Sequence, residues 1–175
     1  MTESVRAVPR QSREAEATST AEAFEAFFEA ERVRLLGALI VMTGNRAEAE
    51  ELLQDAFLKV WERWDRVAAM ENPTGYLYRT ALNLYRRRLR RASVAMRRAF
   101  SFMPDSDELA GVEVRDEAVR LLGKLTPRER AAIVITAYLG YSSEEAAQLM
   151  GINANTVRVL TGRARAALRA EEAST

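Results

Sequence analysis

Ser142-Ser143-Glu144-Glu145-Ala146-Ala147-Gln148-Leu149-Met150-Gly151-Ile152-Asn153-Ala154-Asn155-Thr156-Val157-Arg158 is the stretch that decides the fold. Ser142 followed three residues later by Glu145 is a capping box, which starts a helix. Gly151 supplies the positive-φ stop. Ile152 plugs the corner, and Asn153 caps a second helix that runs to about Ala170. Small Ala146 and Ala147 allow the two helices to cross closely, so the segment predicts a helix-turn-helix. At about 100° per residue, Val157, Leu160 and Ala164 face inward, while Asn155, Arg158, Gly162, Arg165 and Arg169 share the opposite side. Asn and Arg suit the edges of adenine and guanine, and Arg also holds phosphate. Upstream, Thr126-Pro127-Arg128-Glu129 opens another helix, with Thr as cap, Pro at the first position and Glu at the third. Gly140 closes it.

The N-terminal half repeats the theme without the turn. Phe24, Phe27, Phe28, Leu35, Leu39 and Met42 recur at helical spacing, and Gly44 ends that helix. Asn45 caps the next, with Glu48 as its capping-box partner, and Ala49, Leu52, Leu53, Ala56, Phe57, Val60, Trp61 and Trp64 form one broad apolar face. Gln54, Asp55, Leu58 and Glu62 lie off that face, an acidic surface with an exposed leucine that fits a protein partner. After a break at Glu71–Gly75, a third helix runs from Tyr76 to Arg91 or beyond. Leu77, Ala81, Leu84, Tyr85 and Leu89 make its buried stripe; Arg79, Asn83, Arg86 and Arg90 make the opposite face, with Arg97 if the helix continues. Arginines for phosphate beside Asn72, Tyr76 and Asn83 for unstacked bases are the composition of a single-strand site. One of Tyr76 and Tyr78 belongs to the core; spacing alone leaves open which.

The 26 basic and 25 acidic residues leave a net charge of +1, but the charges are segregated. Net charge is −5 over residues 21–71, +8 over 72–104, −5 over 105–117 and +3 over 118–175. A locally basic block points to a polyanion read by part of the surface. The chain has no cysteine and no histidine, which excludes disulfides, thiolate zinc sites, iron–sulfur clusters and Ser–His triads. No nucleophile–base pair or phosphate-binding glycine loop is present, so an enzyme is not expected, nor a cofactor, a metal or a small-molecule substrate. The longest apolar run, Leu35–Met42, is too short to span a bilayer, and residues 1–20 lack a secretory core. The expectation is a cytoplasmic, all-α chain: a disordered N-terminal tail (1–20), a helical module (21–98), an acidic, flexible linker (99–113) and a helix-turn-helix module (114–172).

The order of these motifs resembles the extracytoplasmic-function (ECF) group of bacterial sigma-70-type sigma factors. Ala49–Trp61 is similar to its region 2.2, Pro73–Leu84 to its −10 region, and Leu125–Ala170 to its region 4. The resemblance implies an RNA polymerase sigma factor, an initiation subunit that recognises −35 and −10 elements and helps melt DNA. Glu51, Gln54, Asp55, Leu58 and Glu62 would bind core polymerase at the β′ clamp helices, with the β flap as a further contact. Asn72, Tyr76, Arg79, Asn83, Arg86 and Arg90 would take the −10 element, with a flipped base near the Asn72–Tyr76 loop. Asn155, Thr156, Arg158, Arg165 and Arg169 would take the −35 element. Promoter DNA and an anti-sigma factor complete the implied partners. The chain departs from the family pattern at Arg87, where members often carry Asp, and at Val159–Gly162 of the recognition helix, so no promoter sequence carries over. The alternative reading is a two-module helix-turn-helix regulator that does not bind core polymerase.

Overall fold

In the computed structural model, residues 10–99 and 117–173 are described. They form α1 (Arg10–Thr43), α2 (Arg46–Trp61), α3 (Trp64–Ala68), α4 (Pro73–Ala99), α5 (Glu117–Gly123), α6 (Pro127–Ile133), a π turn (Val134–Tyr138), α7 (Ser143–Met150) and α8 (Ala154–Glu172). No strand occurs among the described residues.

The expected tail is corrected over residues 10–20, which belong to α1. That segment is rich in Ala, Glu and Arg, strong helix formers, and extending a helix already nucleated costs far less than starting one. Residues 1–9 and the expected linker beyond Ala99 lie outside the described residues. α4 reaches Ala99.

In the first module α1 packs along α2 through an aromatic cluster. Phe28 meets Phe57 at 4.7 Å, Phe27 meets Trp64 at 5.0 Å and Phe24 meets Trp61 at 4.8 Å between ring centroids. Tilted and edge-on pairs of this kind suit the quadrupoles of the rings. Leu39, Met42, Leu52, Val60, Val67, Leu77 and Ala81 fill the rest. The expected face of α2 holds with one correction: Trp61 is 43% exposed. α2 ends there, and Trp64 enters the core from α3.

Asn45 caps α2, accepting the Glu48 N–H at 3.0 Å. The reciprocal half of the expected box is replaced. The Asn45 N–H donates to Thr43 Oγ1 at 3.1 Å, and the Glu48 carboxylate pairs with Arg88 at 3.2 Å. Both other boxes form in full, at Thr126/Glu129 and Ser142/Glu145. The Ser142 N–H donates to the Glu145 carboxylate at 2.8 Å and holds its pKa below the usual carboxylate range.

The second module wraps α5, α6 and α7 around α8, with Val157 and Ala164 wholly buried. Gly151 adopts φ +64 as the turn requires, and Asn153 accepts the Thr156 N–H at 2.7 Å. Gly140 ends the preceding helix at φ +79, but only after the π turn, in which the Leu139 N–H reaches back to the Val134 oxygen at 2.9 Å.

The two modules pack into one buried cluster, with α7 against α4 and the π turn and α6 against α1. Tyr78 of α4 meets Tyr141 edge-on at 6.0 Å. The Arg130 guanidinium donates to Met42 O of α1 at 3.1 Å, and to Gly123 O and Leu125 O within its own module.

Candidate nucleic-acid interface

α2 separates two surfaces of opposite character. On one side, Ala21, Phe24 and Phe28 of α1 and Gln54, Asp55, Phe57, Leu58 and Trp61 of α2 line an apolar groove of about 600 Å³. Leu58 is 56% and Trp61 43% exposed, so the groove is a contiguous exposed apolar patch of the kind that marks an interaction site. Of the residues expected to dock core polymerase, Gln54, Asp55 and Leu58 therefore share one groove. Glu51 does not line it: its carboxylate accepts from Arg88 at 2.7 Å. Glu62 lies across the helix, in the second cavity.

That second cavity, about 260 Å³, is lined by Lys59, Glu62, Arg63, Tyr76, Thr80, Asn83, Leu84 and Arg87. Three cations face one carboxylate, with a tyrosine ring and an amide between them. Tyr76 is half-buried there, while Tyr78 is 2% exposed and belongs to the core. Burial raises the Tyr78 pKa, and the neighbouring Glu31 raises it further. Tyr85 is pushed up to about 12, mainly by burial, and donates its hydroxyl to Met42 O at 2.9 Å. The choice between the two tyrosines is thus settled by the tilt of α4 against α1 and the second module.

Sequence reasoning missed Lys59, Arg63 and Arg87 as members of this cavity. The signal was present: Lys59 and Arg63 stand four apart and break the acidic run of α2 where it approaches α4. Arg88 belongs elsewhere, since Glu48 and Glu51 neutralise it.

The loop before α4 is built by Asn72, whose side chain accepts the Gly75 N–H at 2.7 Å. Thr74 donates to Glu31 at 2.9 Å and ties the loop to α1. Asn72, Tyr76 and Arg79 face a third cavity, shared with Tyr141, Glu145, Gln148 and Leu149 of the second module. Asn83 and Arg90 are exposed on the outer face, and Arg86 lies beside Gly151, where a Cβ would come within 3.1 Å of its guanidinium. The expected −10 set is therefore divided among two cavities, the seam and, for Arg90, the open surface.

On α8, Asn155, Arg158, Arg165 and Arg169 are all exposed on one side, as the helical phase predicts. Arg158 pairs with Glu144 of α7. Thr156 is half-buried and donates to Asn153 Oδ1 at 2.8 Å, so its hydroxyl takes part in the cap. Thr161 is 8% exposed and bonds back to Val157 O at 3.0 Å. Nothing approaches the space beside Gly162.

Residues 27–94 match the model of sigma-70 region 2, and residues 115–168 match that of sigma-70 region 4. The ECF RNA polymerase sigma factor SigM of Mycobacterium tuberculosis is 31% identical over 137 residues, covering 77% of this chain and 70% of the relative. The chain belongs to the ECF sigma-70 family. Further relatives of this sigma factor include CnrH of Cupriavidus metallidurans, 32% identical over 70% of this chain and 72% of that protein. The sigma-E factor of Streptomyces avermitilis is 28% identical over 85% and 84%. The solved structure of CnrH in complex with the cytosolic domain of CnrY superposes with a TM-score of 0.60 at 27% identity, covering 90% of the sigma factor and 94% of that chain. The sigma factor RpoE of Bartonella quintana, in complex with the anti-sigma factor NepR, shares the fold with a TM-score of 0.70 at 22% identity, over 85% and 95%. The protein is thus an RNA polymerase sigma factor with the two helical modules of that family. No helix among its described residues is long and apolar enough to cross a membrane.

Proposed function

We propose that this sigma factor works as a cofactor-free adaptor whose α2 carries core polymerase on one side and melted promoter DNA on the other. The observation that carries the reading is the opposition of the two cavities across α2. The acidic-rimmed groove of Gln54, Asp55 and Leu58 takes basic, amphipathic helices of core polymerase, the β′ clamp in the family. The cationic cavity of Lys59, Arg63, Tyr76, Asn83 and Arg87 takes the backbone and an unstacked base of the −10 element. Flipping a base costs a few kcal/mol, which the tyrosine face and three cations offset. Asn155, Arg158, Arg165 and Arg169 of α8 enter the −35 major groove. The chain acts in the cytoplasm and performs no catalysis of its own. RpoE is solved with the anti-sigma factor NepR and CnrH with the cytosolic domain of CnrY, which supports an anti-sigma factor as a partner here too.

The test is reconstitution with purified core polymerase. Micromolar or tighter binding and promoter-directed run-off transcription are expected. A chain that binds duplex DNA tightly by itself but ignores core polymerase is a free-standing regulator, and the proposal fails.

A further inference from the structure

We propose that Val159 and Gly162 of α8 form a notch for the 5-methyl group of thymine, which makes them specificity-determining residues of the −35 contact. Asn155, Arg158, Arg165 and Arg169 give the outward side of α8 its polar and cationic character, which suits a polyanion. Val159 interrupts it. The side chain is 45% exposed and packs outside the buried cluster. At about 100° per residue, Val159 lies roughly 40° to one side of Asn155 and Gly162 roughly 20° to the other. From Asn155 to Gly162 the helix rises about 10 Å, comparable with three base-pair steps. The valine and the glycine thus stand among the residues that would meet base edges.

A single exposed valine is ordinary on a protein surface. What sets this one apart is its surroundings. Valine is a weaker helix former than alanine or arginine, and glycine is weaker still, yet neither gains packing within the fold. Apart from its two chain neighbours, no group comes within 4 Å of where a Cβ on Gly162 would stand. Arg158, which could fold over the gap, is held by Glu144 of α7. The Thr161 hydroxyl turns inward and donates to Val157 O and Arg158 O, both at 3.0 Å, so it offers nothing to the notch. The notch is therefore open and apolar. A base-edge donor or acceptor set against it would go unpaired, whereas the thymine methyl is the apolar group of the major-groove edge. Asn155, one turn earlier, suits adenine. Together they select an upstream element with adenine under Asn155 and thymine within the next few steps. The inference rests on the sigma-factor reading for the name of that element; the notch itself requires only that α8 enter a major groove.

Holoenzyme assembled from the full chain and core polymerase first selects its duplex from a random library. Each thymine of the selected upstream element is then replaced in turn by uracil, which removes the 5-methyl group and keeps every hydrogen-bonding atom. At least one replacement should weaken wild-type binding about fourfold, the worth of one buried methyl group. In Val159→Ala the same replacement should change affinity by less than about 1.5-fold, which closes the cycle on that contact. Gly162→Ala meets nothing in the fold, so its thermal midpoint should rise as helix propensity directs. Its affinity for the thymine duplex should nevertheless fall by about threefold, because the added methyl group takes the place of the thymine's own. A glycine with only a structural role would show the first change without the second. No uracil effect at any thymine overturns the proposal, as does an equal effect in wild type and Val159→Ala. A chain that does not join core polymerase is put through the same selection and cycle alone. A methyl effect lost in Val159→Ala then keeps the notch and loses only the sigma-factor assignment, whereas failure to select any sequence overturns both.

Discussion

The side chain of Asn72 accepts the Gly75 N–H at 2.7 Å, and its amide nitrogen lies 2.7 Å from where a Cβ on Gly75 would stand. The turn that opens α4 is therefore closed by a cap that only glycine leaves room for. Gly75→Ala should push the cap out and cost about 1–2 kcal/mol, the usual range for losing an N-cap, read as a lower midpoint in urea. Asn72→Ser separates the two roles of that residue. Serine caps as well as asparagine, so stability should hold while binding to −10 DNA falls.

Asp55→Arg and Leu58→Arg address the groove. Both side chains are exposed, so stability should change by no more than about 0.5 kcal/mol. Affinity for core polymerase, measured by fluorescence anisotropy, should fall at least tenfold. Unchanged affinity would place the docking face elsewhere.

Adjacent arginines on α4 should behave differently. Arg87 lines the cationic cavity, so Arg87→Ala should weaken strand binding and reduce the salt slope by roughly one. Arg88 is held by Glu48 and Glu51. Arg88→Ala should leave the salt slope alone and cost at most about 1 kcal/mol of stability, as exposed pairs do.

Arg158→Ala should cost about 1–3 kcal/mol at a cognate −35 site if the side chain reads a base. An equal loss on every duplex marks a phosphate contact instead. Glu144→Gln releases Arg158 from its partner and should barely alter stability, because both groups are exposed.

Alkaline pH should destabilise the fold through its buried tyrosines. Tyr85 titrates near 12 in the folded chain and near 10 when unfolded. Between those values the folded state holds more protons, so stability is complete below pH 10 and falls as pH rises, by roughly 1.4 kcal/mol per unit for one tyrosine. Tyr85→Phe should flatten that slope in urea titrations between pH 10 and 12. Met42 O keeps its bond from Arg130 in that variant, so the loss at neutral pH should stay near 1 kcal/mol.

The parts legible in the sequence are those set by local chemistry. The Thr126 and Ser142 boxes, the Gly151 turn and the Asn153 cap each depend on residues within a few positions of one another, and all four form. Helical phase sufficed to place Asn155, Arg158, Arg165 and Arg169 on one exposed side. What escaped depends on neighbours distant in the chain. Glu48 leaves its own cap for Arg88, forty residues on. Lys59 and Arg63 join Asn83 and Arg87 only once α2 lies on α4. Tyr76 and Tyr78 are two residues apart, and which one is buried is decided by α1 and Tyr141. Asn72 and Arg79 share a cavity with Tyr141 and Glu145, apart from the one that holds Asn83, only because the second module is docked.

The π turn at Val134–Tyr138 holds one residue more than an α-helical turn would, and everything after it is rotated accordingly. Were the same five residues to revert to ordinary α geometry, Tyr138 and the Leu139 carbonyl would swing by roughly 90° about the axis. Both would then miss Gly37, over which Tyr138 lies, and Arg34, which donates to Leu139 O, without any change to those partners. Angular register, more than the identity of any one side chain, decides whether the two halves of the molecule can meet.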